Sequence, residues 1–276
     1  MNRSIIIMAF AILLPAKMLS QEFYGTAVYE SLPIRNMEDE EKYRGDERMK
    51  KVMEKVNKLL EKTYALNFNK YESIYEEEQQ LEAPSAGDEM QITMSGGTGK
   101  TYKNIKDKVQ ITEEDLGGKD FLVTDSLKTW KWELKEETKR IGNYTCYKAI
   151  NIDRVTAEDL KRYEDSKKKQ EKATASFFGT DKPEDSMTTV WYTLDIPVSQ
   201  GPQDLWGLPG LILEVNFNNA MIVRCTKIVL NPKTKTEIKK PKKGKKVTKK
   251  EYESLSEKHE KQMEDIWSRE RRDREH

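Results

Sequence analysis

Trp206-Gly207-Leu208-Pro209-Gly210-Leu211-Ile212 is the stretch on which the reading of this chain turns. Pro209 fixes its own φ, and Gly207 and Gly210 on either side are free to take positive φ, so the stretch describes one fixed tight turn. The turn opens into Leu211-Ile212-Leu213-Glu214-Val215-Asn216-Phe217, where Leu211, Leu213, Val215 and Phe217 alternate with Ile212, Glu214 and Asn216. That is the period of a strand with one face fully buried. Upstream, Trp191-Tyr192-Thr193-Leu194-Asp195-Ile196-Pro197-Val198 reads as a second strand, and Gly201-Pro202 punctuates the crossing from it into the turn.

The succession of a strand, Asp-Ile-Pro, Gly-Pro and then literal Gly-Leu-Pro-Gly-Leu-Ile resembles the GLPGLI family of Bacteroidota envelope proteins. The likeness is close at the motif and looser from Gly25 to Asn231. It carries over Trp191, Asp195, Pro197, Gly201, Pro202 and Gly207 to Ile212 by direct match, with Trp206 leading the motif. The family has no settled biochemical activity. The resemblance therefore implies a β-rich form and an envelope location, and transfers no catalytic role to any matched residue. The charged stretch from Thr156 to Thr174 and the lysine-rich tail depart from the family pattern.

The N-terminus agrees with such a compartment. Asn2 and Arg3 precede an apolar run from Ile5 to Ala16, and Met18-Leu19-Ser20 leads to Gln21, the layout of a secretory signal over residues 1–21. The run is short for a bilayer span, no Cys follows it that would take a lipid, and the mature chain is expected to be soluble. Cys146 and Cys225 are the two cysteines. In an oxidising compartment an even count argues for a disulfide, which would join two strands across about 80 residues and contribute roughly 4–5 kcal/mol in the chain-entropy model. Two free thiols or a metal pair are the alternatives. A zinc site wants more ligands, and the only histidines, His259 and His276, lie in the charged C-terminal region.

Lys and Arg number 49 against 48 Asp and Glu, and charged residues make up 35% beside 36% hydrophobic ones. The core is lean for this length, and its apolar residues sit mainly between Phe23 and Leu230, which predicts one β-rich domain with polar helical additions. Phe23 to Ser31 is the first strand. From Glu38 to Lys62, Met49, Val52, Met53, Val56, Leu59 and Leu60 share one helical face, a stripe expected to lie across the sheet. Thr63 to Phe68 and Tyr71 to Tyr75 alternate on either side of a slip at Asn69, the sign of a bulge or tight turn. Ser95-Gly96-Gly97-Thr98-Gly99-Lys100-Thr101 imitates a phosphate-binding loop, but Met94 stands where the first glycine is needed, so a hairpin loop is the better reading. Lys108 to Ile111, Phe121 to Thr124, Lys128 to Leu134 with Trp130, Trp132 and Leu134 inward, and Tyr144 to Ile152 continue the strands, with a turn at Gly142-Asn143. Thr156 with Asp159 starts a thinly apolar, solvated helix over about 157–174, and Asn218-Asn219 is a hairpin turn into Ala220 to Leu230. About ten short strands are too many for a comfortable flat sheet.

The tail differs in kind. Lys233 to Lys250 contains one glutamate and no aromatic residue, and reads either as a solvated linker or as a contact with anionic lipid. Export argues against nucleic acid. Thr248-Lys249-Lys250-Glu251 is a capping box, and Tyr252, Leu255, His259, Met263, Ile266 and Trp267 line one side of the helix it starts. That stripe would dock back on the domain, pair with the helix at 38–62, or bind another protein.

Hydrolytic and transfer chemistry usually needs a base near neutral pKa, most often His, and neither histidine falls in the expected core. Asp195 is the best candidate for a functional carboxylate, against the plainer role of an Asp that hydrogen-bonds turn amides. Trp130, Trp132, Trp191 and Trp206 would line a ligand cavity or pack a core. The sequence therefore predicts an α+β protein, mainly antiparallel β. Its sheet is a curled half-barrel or barrel-like meander over residues 22–231 with a helix packed across it, followed by a lysine-rich linker at 232–250 and an amphipathic C-terminal helix at 251–276. The expected function is a non-catalytic periplasmic accessory protein, a subunit or partner of an outer-membrane transport or assembly complex, with no cofactor, no metal and no nucleic acid. A periplasmic carrier of an apolar or peptide ligand is the alternative, and an enzyme working through carboxylates is a third, weaker one.

Overall fold

The computed structural model describes residues 23–34, 46–78, 99–170, 182–234 and 236–274. The signal-like segment 1–21, the start of the helix expected at 38–62, most of the glycine-rich loop at 95–101 and the end of the helix expected at 157–174 lie outside them. Among the described residues twelve strands form one sheet. β1 (Tyr24–Pro33) is followed by α1 (Glu47–Leu60), then β2 (Thr63–Asn69), β3 (Glu72–Glu77), β4 (Thr101–Asn104), β5 (Val109–Asp115) and β6 (Asp120–Ser126). β7 (Glu133–Ile141), β8 (Tyr144–Asp153), α2 (Ala157–Gln170), β9 (Ser186–Thr193), β10 (Leu211–Phe217) and β11 (Met221–Leu230) come next, and β12 (Lys245–Thr248) and α3 (Lys249–Arg274) end the chain.

In the strand order β12-β6-β5-β4-β3-β2-β1-β11-β10-β9-β8-β7, two antiparallel meanders, β2–β6 and β7–β11, are joined at β1, which pairs with β2 on one side and β11 on the other, and β12 is added in parallel at the β6 edge. The sheet does not close; β7 and β12 are its edges. It must nevertheless curl. β6 and β7 stand ten inter-strand steps apart, about 48 Å in a flat sheet, yet only residues 127–132 connect them, a link that reaches at most about 25 Å. The ends of that link fix where it crosses: the Leu127 N–H donates to the Lys108 carbonyl just before β5, and the Lys131 N–H donates to Asn151 Oδ1 on β8. We call residues 127–132 the strap.

Local chemistry accounts for the turns. Asn69 Oδ1 accepts from the Tyr71 and Glu72 amides and closes the β2–β3 hairpin, as the slip in alternation predicts. Asn218 and Asn219 both have positive φ (51° and 54°), the demand of a two-residue hairpin turn. Thr156 with Asp159, and Thr248 with Glu251, form reciprocal capping boxes at α2 and α3.

Four expectations need correction. Cys146 and Cys225 are both free, buried thiols rather than a disulfide. β9 and β10 lie between their strands, a separation of about 14 Å along the sheet, where a bridge wants Cα atoms within about 7 Å. The segment from Lys128 to Leu134 is not a strand with Trp130, Trp132 and Leu134 buried together: β7 starts at Glu133, and Leu134 is 61% exposed. β10 is buried on both faces from Leu211 to Val215, not on one. Finally, α1 lies beside β1 with a half-buried stripe, and its Val52 is 42% exposed. The concave face that a crossing helix would have filled is occupied by residues 194–210, described below.

Burial holds the Cys146 thiol at about 11 and pushes the Cys225 thiol up to about 12, so both stay protonated and unreactive at neutral pH. The folded protein is therefore expected to resist alkylation by iodoacetamide, to take two alkyl groups once unfolded in urea without reductant, and to melt at the same temperature with and without dithiothreitol. Mass spectrometry and a thermal melt read these outcomes.

Candidate functional site

After Thr193 the chain leaves β9, folds into the hollow of the curled sheet, and returns at Leu211. Residues 194–210 are a plug. Ile196, Val198, Leu205 and Leu208 are buried in one cluster with Tyr29, Tyr64, Leu66, Phe68 and Tyr75 of the sheet. The first two amides of β10 hold the plug from below: Leu211 N–H donates to the Ile196 carbonyl and Ile212 N–H to the Gln200 carbonyl, each at 3.0 Å. Gly210 is required for this approach, because a Cβ there would stand 1.9 Å from the Thr193 carbonyl oxygen. Gly207, at φ 97°, is the other residue that the turn needs, whereas Gly210 does not take positive φ.

Strap and plug are laced by indoles. Trp130 Nε1 donates to the Asp204 carbonyl (3.1 Å) and Trp132 Nε1 to the Trp206 carbonyl (2.8 Å), while Trp206 Nε1 donates back to the Lys128 carbonyl (2.8 Å). Trp130 and Trp132 stack at 5.0 Å, and the Lys128 ammonium sits 3.8 Å from the Trp130 ring centre. Trp130 is thus sandwiched between Trp132 and the Lys128 ammonium. The three indole N–H groups clasp the two segments together.

The far side of the plug rests on polar groups. Lys103 of β4 is fully buried, and its Nζ donates to the carbonyls of Gly201 (2.6 Å) and Leu205 (2.7 Å). Ser73 of β3 donates to Gln200 Oε1 (2.8 Å), and Tyr29 to the Ile212 carbonyl (2.7 Å). Tyr75 Oη and Gln200 Nε2 are buried without a hydrogen-bond partner among the described residues. Burial pulls the Lys103 amine down to about 7, against the opposing pull of Asp204, because desolvation disfavours the charged form. No local signal in Thr101-Tyr102-Lys103-Asn104 marks this lysine, since what buries it arrives from about a hundred residues downstream.

Glu214 is the other buried charge. Only 5% exposed, it accepts from Lys139 Nζ of β7 and Arg224 Nε of β11, both at 2.5 Å, and the same ammonium lies 4.4 Å from the ring centre of Trp191. Asp195, by contrast, is exposed at the lip of the plug, and its amide donates to Thr193 Oγ1 (3.3 Å). Pro197 and Pro209 are exposed, whereas Gly201, Pro202, Leu211 and Ile212 are buried. Among the described residues no group of His, Cys, Asp and Glu is arranged to hold a metal ion, and no helix is long and apolar enough to cross a membrane.

The tail is attached to the sheet. Ile238 packs on Tyr102, Ile111 and Leu122, Pro241 is buried, and β12 adds to the free edge of β6 in parallel, burying Val247. The segment at 232–250 is therefore a pinned ribbon rather than a free linker. α3 then lies on β6 and β12, with the Tyr252 ring edge-on to Phe121 at 5.7 Å and His259 against Gly117. Leu255 and Met263 are half-buried and Ile266 is 47% exposed, so the stripe divides into a docked beginning and a more open end. The Trp267 side chain lies outside the described residues.

A family model described as "protein of unknown function (Porph_ging)" matches residues 132–214, from the last tryptophan of the strap through the plug to Glu214. The match is consistent with a Bacteroidota family and does not carry the GLPGLI name. No curated protein matches the chain. Among solved structures, PNGF-II in space groups C2 and P21 matches at 13% identity in both cases, with TM-scores of 0.49 and 0.46. Each match covers 86% of this chain but only 33% and 34% of that protein, so the chain spans about a third of its length. A likeness this distant carries no argument about activity.

Two measurements test the plug. Gly210→Ala is expected to cost about 3 kcal/mol or more by overpacking against fixed backbone, and Gly207→Ala about 1–2 kcal/mol through left-handed strain, both read from urea unfolding midpoints. Lys103 binds its proton less tightly folded (about 7) than unfolded (about 10.4), so between those values the unfolded chain holds more protons and stability rises with pH. The stability of the native chain relative to Lys103→Met should therefore improve by about 2–3 kcal/mol from about pH 6 to about pH 9. A flat difference would mean that the amine is not held as described.

Proposed function

We propose that this chain is a non-catalytic accessory protein of the periplasm that binds a protein partner, as a subunit or partner of an outer-membrane transport or assembly complex. The observation that carries the reading is α3. It has 26 residues, roughly 39 Å at the usual helical rise, and its contacts with the sheet are to β6 and β12. The stripe that begins on Phe121 with Tyr252 runs on to Ile266, which is 47% exposed. An apolar stripe that outlasts its own support is the kind of helix face that another protein takes into a groove.

Two further features bear on the alternatives. The plug's side chains Ile196, Val198, Leu205 and Leu208 pack into the hollow of the sheet, which weighs against the interior-carrier alternative. A surface concavity of about 660 Å³ lined by Lys182, Glu184, Asp185, Met187, Asn218 and Asn219 is open and polar. The periplasmic location rests on the signal-like segment at residues 1–21 and on the family resemblance at the motif.

The test compares the full chain with one ending at Gln262 and with Ile266→Asp, each first checked for an unchanged melting temperature. The full chain, drawn from envelope membranes of its own organism in mild detergent, is expected to bring a stoichiometric outer-membrane complex that both variants lose. If the full chain emerges alone, or the shortened chain keeps the complex, the reading fails.

A further inference from the structure

The pinned ribbon before α3 presents charge in a way that a loose linker would not. Ile238, Pro241 and Val247 are turned into the sheet, and Lys239, Lys240, Lys242, Lys243, Lys245 and Lys246 between them are all exposed. Two have carboxylates: Lys239 pairs with Glu237 at 3.1 Å and Lys243 with Asp120 at 2.7 Å. Among the described residues no carboxylate lies within ion-pairing distance of Lys240, Lys242, Lys245 or Lys246. The nearby Glu251 carboxylate accepts from the Thr248 amide and hydroxyl and also attracts Lys245 without an ion-pair contact. The chain as a whole is almost neutral, so the ribbon is a local, fixed excess of positive charge only partly offset by the acidic groups beside Lys243 and Lys245, and the excess favours an anionic partner.

We infer that the ribbon from Lys239 to Lys246 is a contact surface for anionic lipid headgroups. The residue types select that partner. Every cation from 233 to 250 is a lysine, a flexible point charge, and there is no arginine fork for a bidentate phosphate or carboxylate. There is also no aromatic residue in that span to stack on a nucleobase. A fluid array of headgroups asks for no matched spacing, since each lipid can move beneath its lysine, and juxtamembrane lysine clusters are held in this way. The ribbon lies on β6 and its neighbours, apart from the open end of the α3 stripe, so lipid contact and partner binding are separable.

The experiment uses purified full-length protein with vesicles of phosphatidylcholine alone and with about one-third phosphatidylglycerol, read by co-sedimentation. Binding is expected only to the anionic vesicles, weakening steeply as salt is raised from about 0.1 M to about 0.5 M. Replacing Lys240, Lys242, Lys245 and Lys246 together by Gln should reduce it tenfold or more with the melting temperature unchanged. Lys240 and Lys242 alone, outside β12, provide a second variant should the fourfold one unfold, with a smaller loss in the same direction. Equal binding to both vesicles, no binding, displacement by millimolar inorganic phosphate, or binding to polyglutamate in place of vesicles would each overturn the inference.

Discussion

The structure depends on one short link. A strap of residues 127–132 must connect strands at nearly opposite ends of the twelve-stranded sheet, and the sheet can satisfy it only by bending until the ends meet. Bending creates a hollow, and the hollow must be filled because apolar side chains line it. The chain fills it with its own loop between β9 and β10. Trp130, Trp132 and Trp206 tie that loop to the link that made it necessary. Curl, plug and clasp are thus successive answers to one geometric demand.

Much of this could be read from the residues, and what could not has a physical reason. Alternation identified β10, the β2–β3 hairpin and the Asn218-Asn219 turn because those signals are local. The turn residues of Trp206 to Ile212 marked a fixed backbone, and Gly207 behaves as such a residue should. Gly210 is fixed by a carbonyl from Thr193, which no inspection of its neighbours reveals. Trp130 and Trp132 were misplaced because two tryptophans with one residue between them look the same in a strand and in an extended strap. The cysteine pair misled because composition gives an even count but not the order of strands, and that order places β9 and β10 between them. Lys103 was invisible because its burial depends on a loop distant in sequence.

Lys103 and Glu214 are buried in opposite meanders and are satisfied by different means. Glu214 gathers two cations from flanking strands, so its charge is balanced by charge. Lys103 donates to two carbonyl oxygens, and among the described residues the carboxylate that acts on it, Asp204, does so without an ion-pair contact. A buried charge contributes little net stability, but another seating of the plug would strand Lys103, whose acceptors are plug carbonyls. The segment matched by the family model, 132–214, contains the clasp, the plug and Glu214, while Lys103 belongs to the opposite meander. The plug is therefore where the two halves of the sheet read each other.

β1 carries a different consequence. It is the seam between the meanders, and its register runs from Gly25 opposite Leu230 to Pro33 opposite Met221. One edge of β1 finds β2 within a few dozen residues, but the other has no partner until nearly the whole domain has been made. During synthesis or refolding that edge is a row of open backbone donors and acceptors, the template on which chains add to one another. The long loop that must close before it is covered makes the step slow. The strand that unifies the finished sheet is thus also the place where an unfinished chain is most exposed to its own copies.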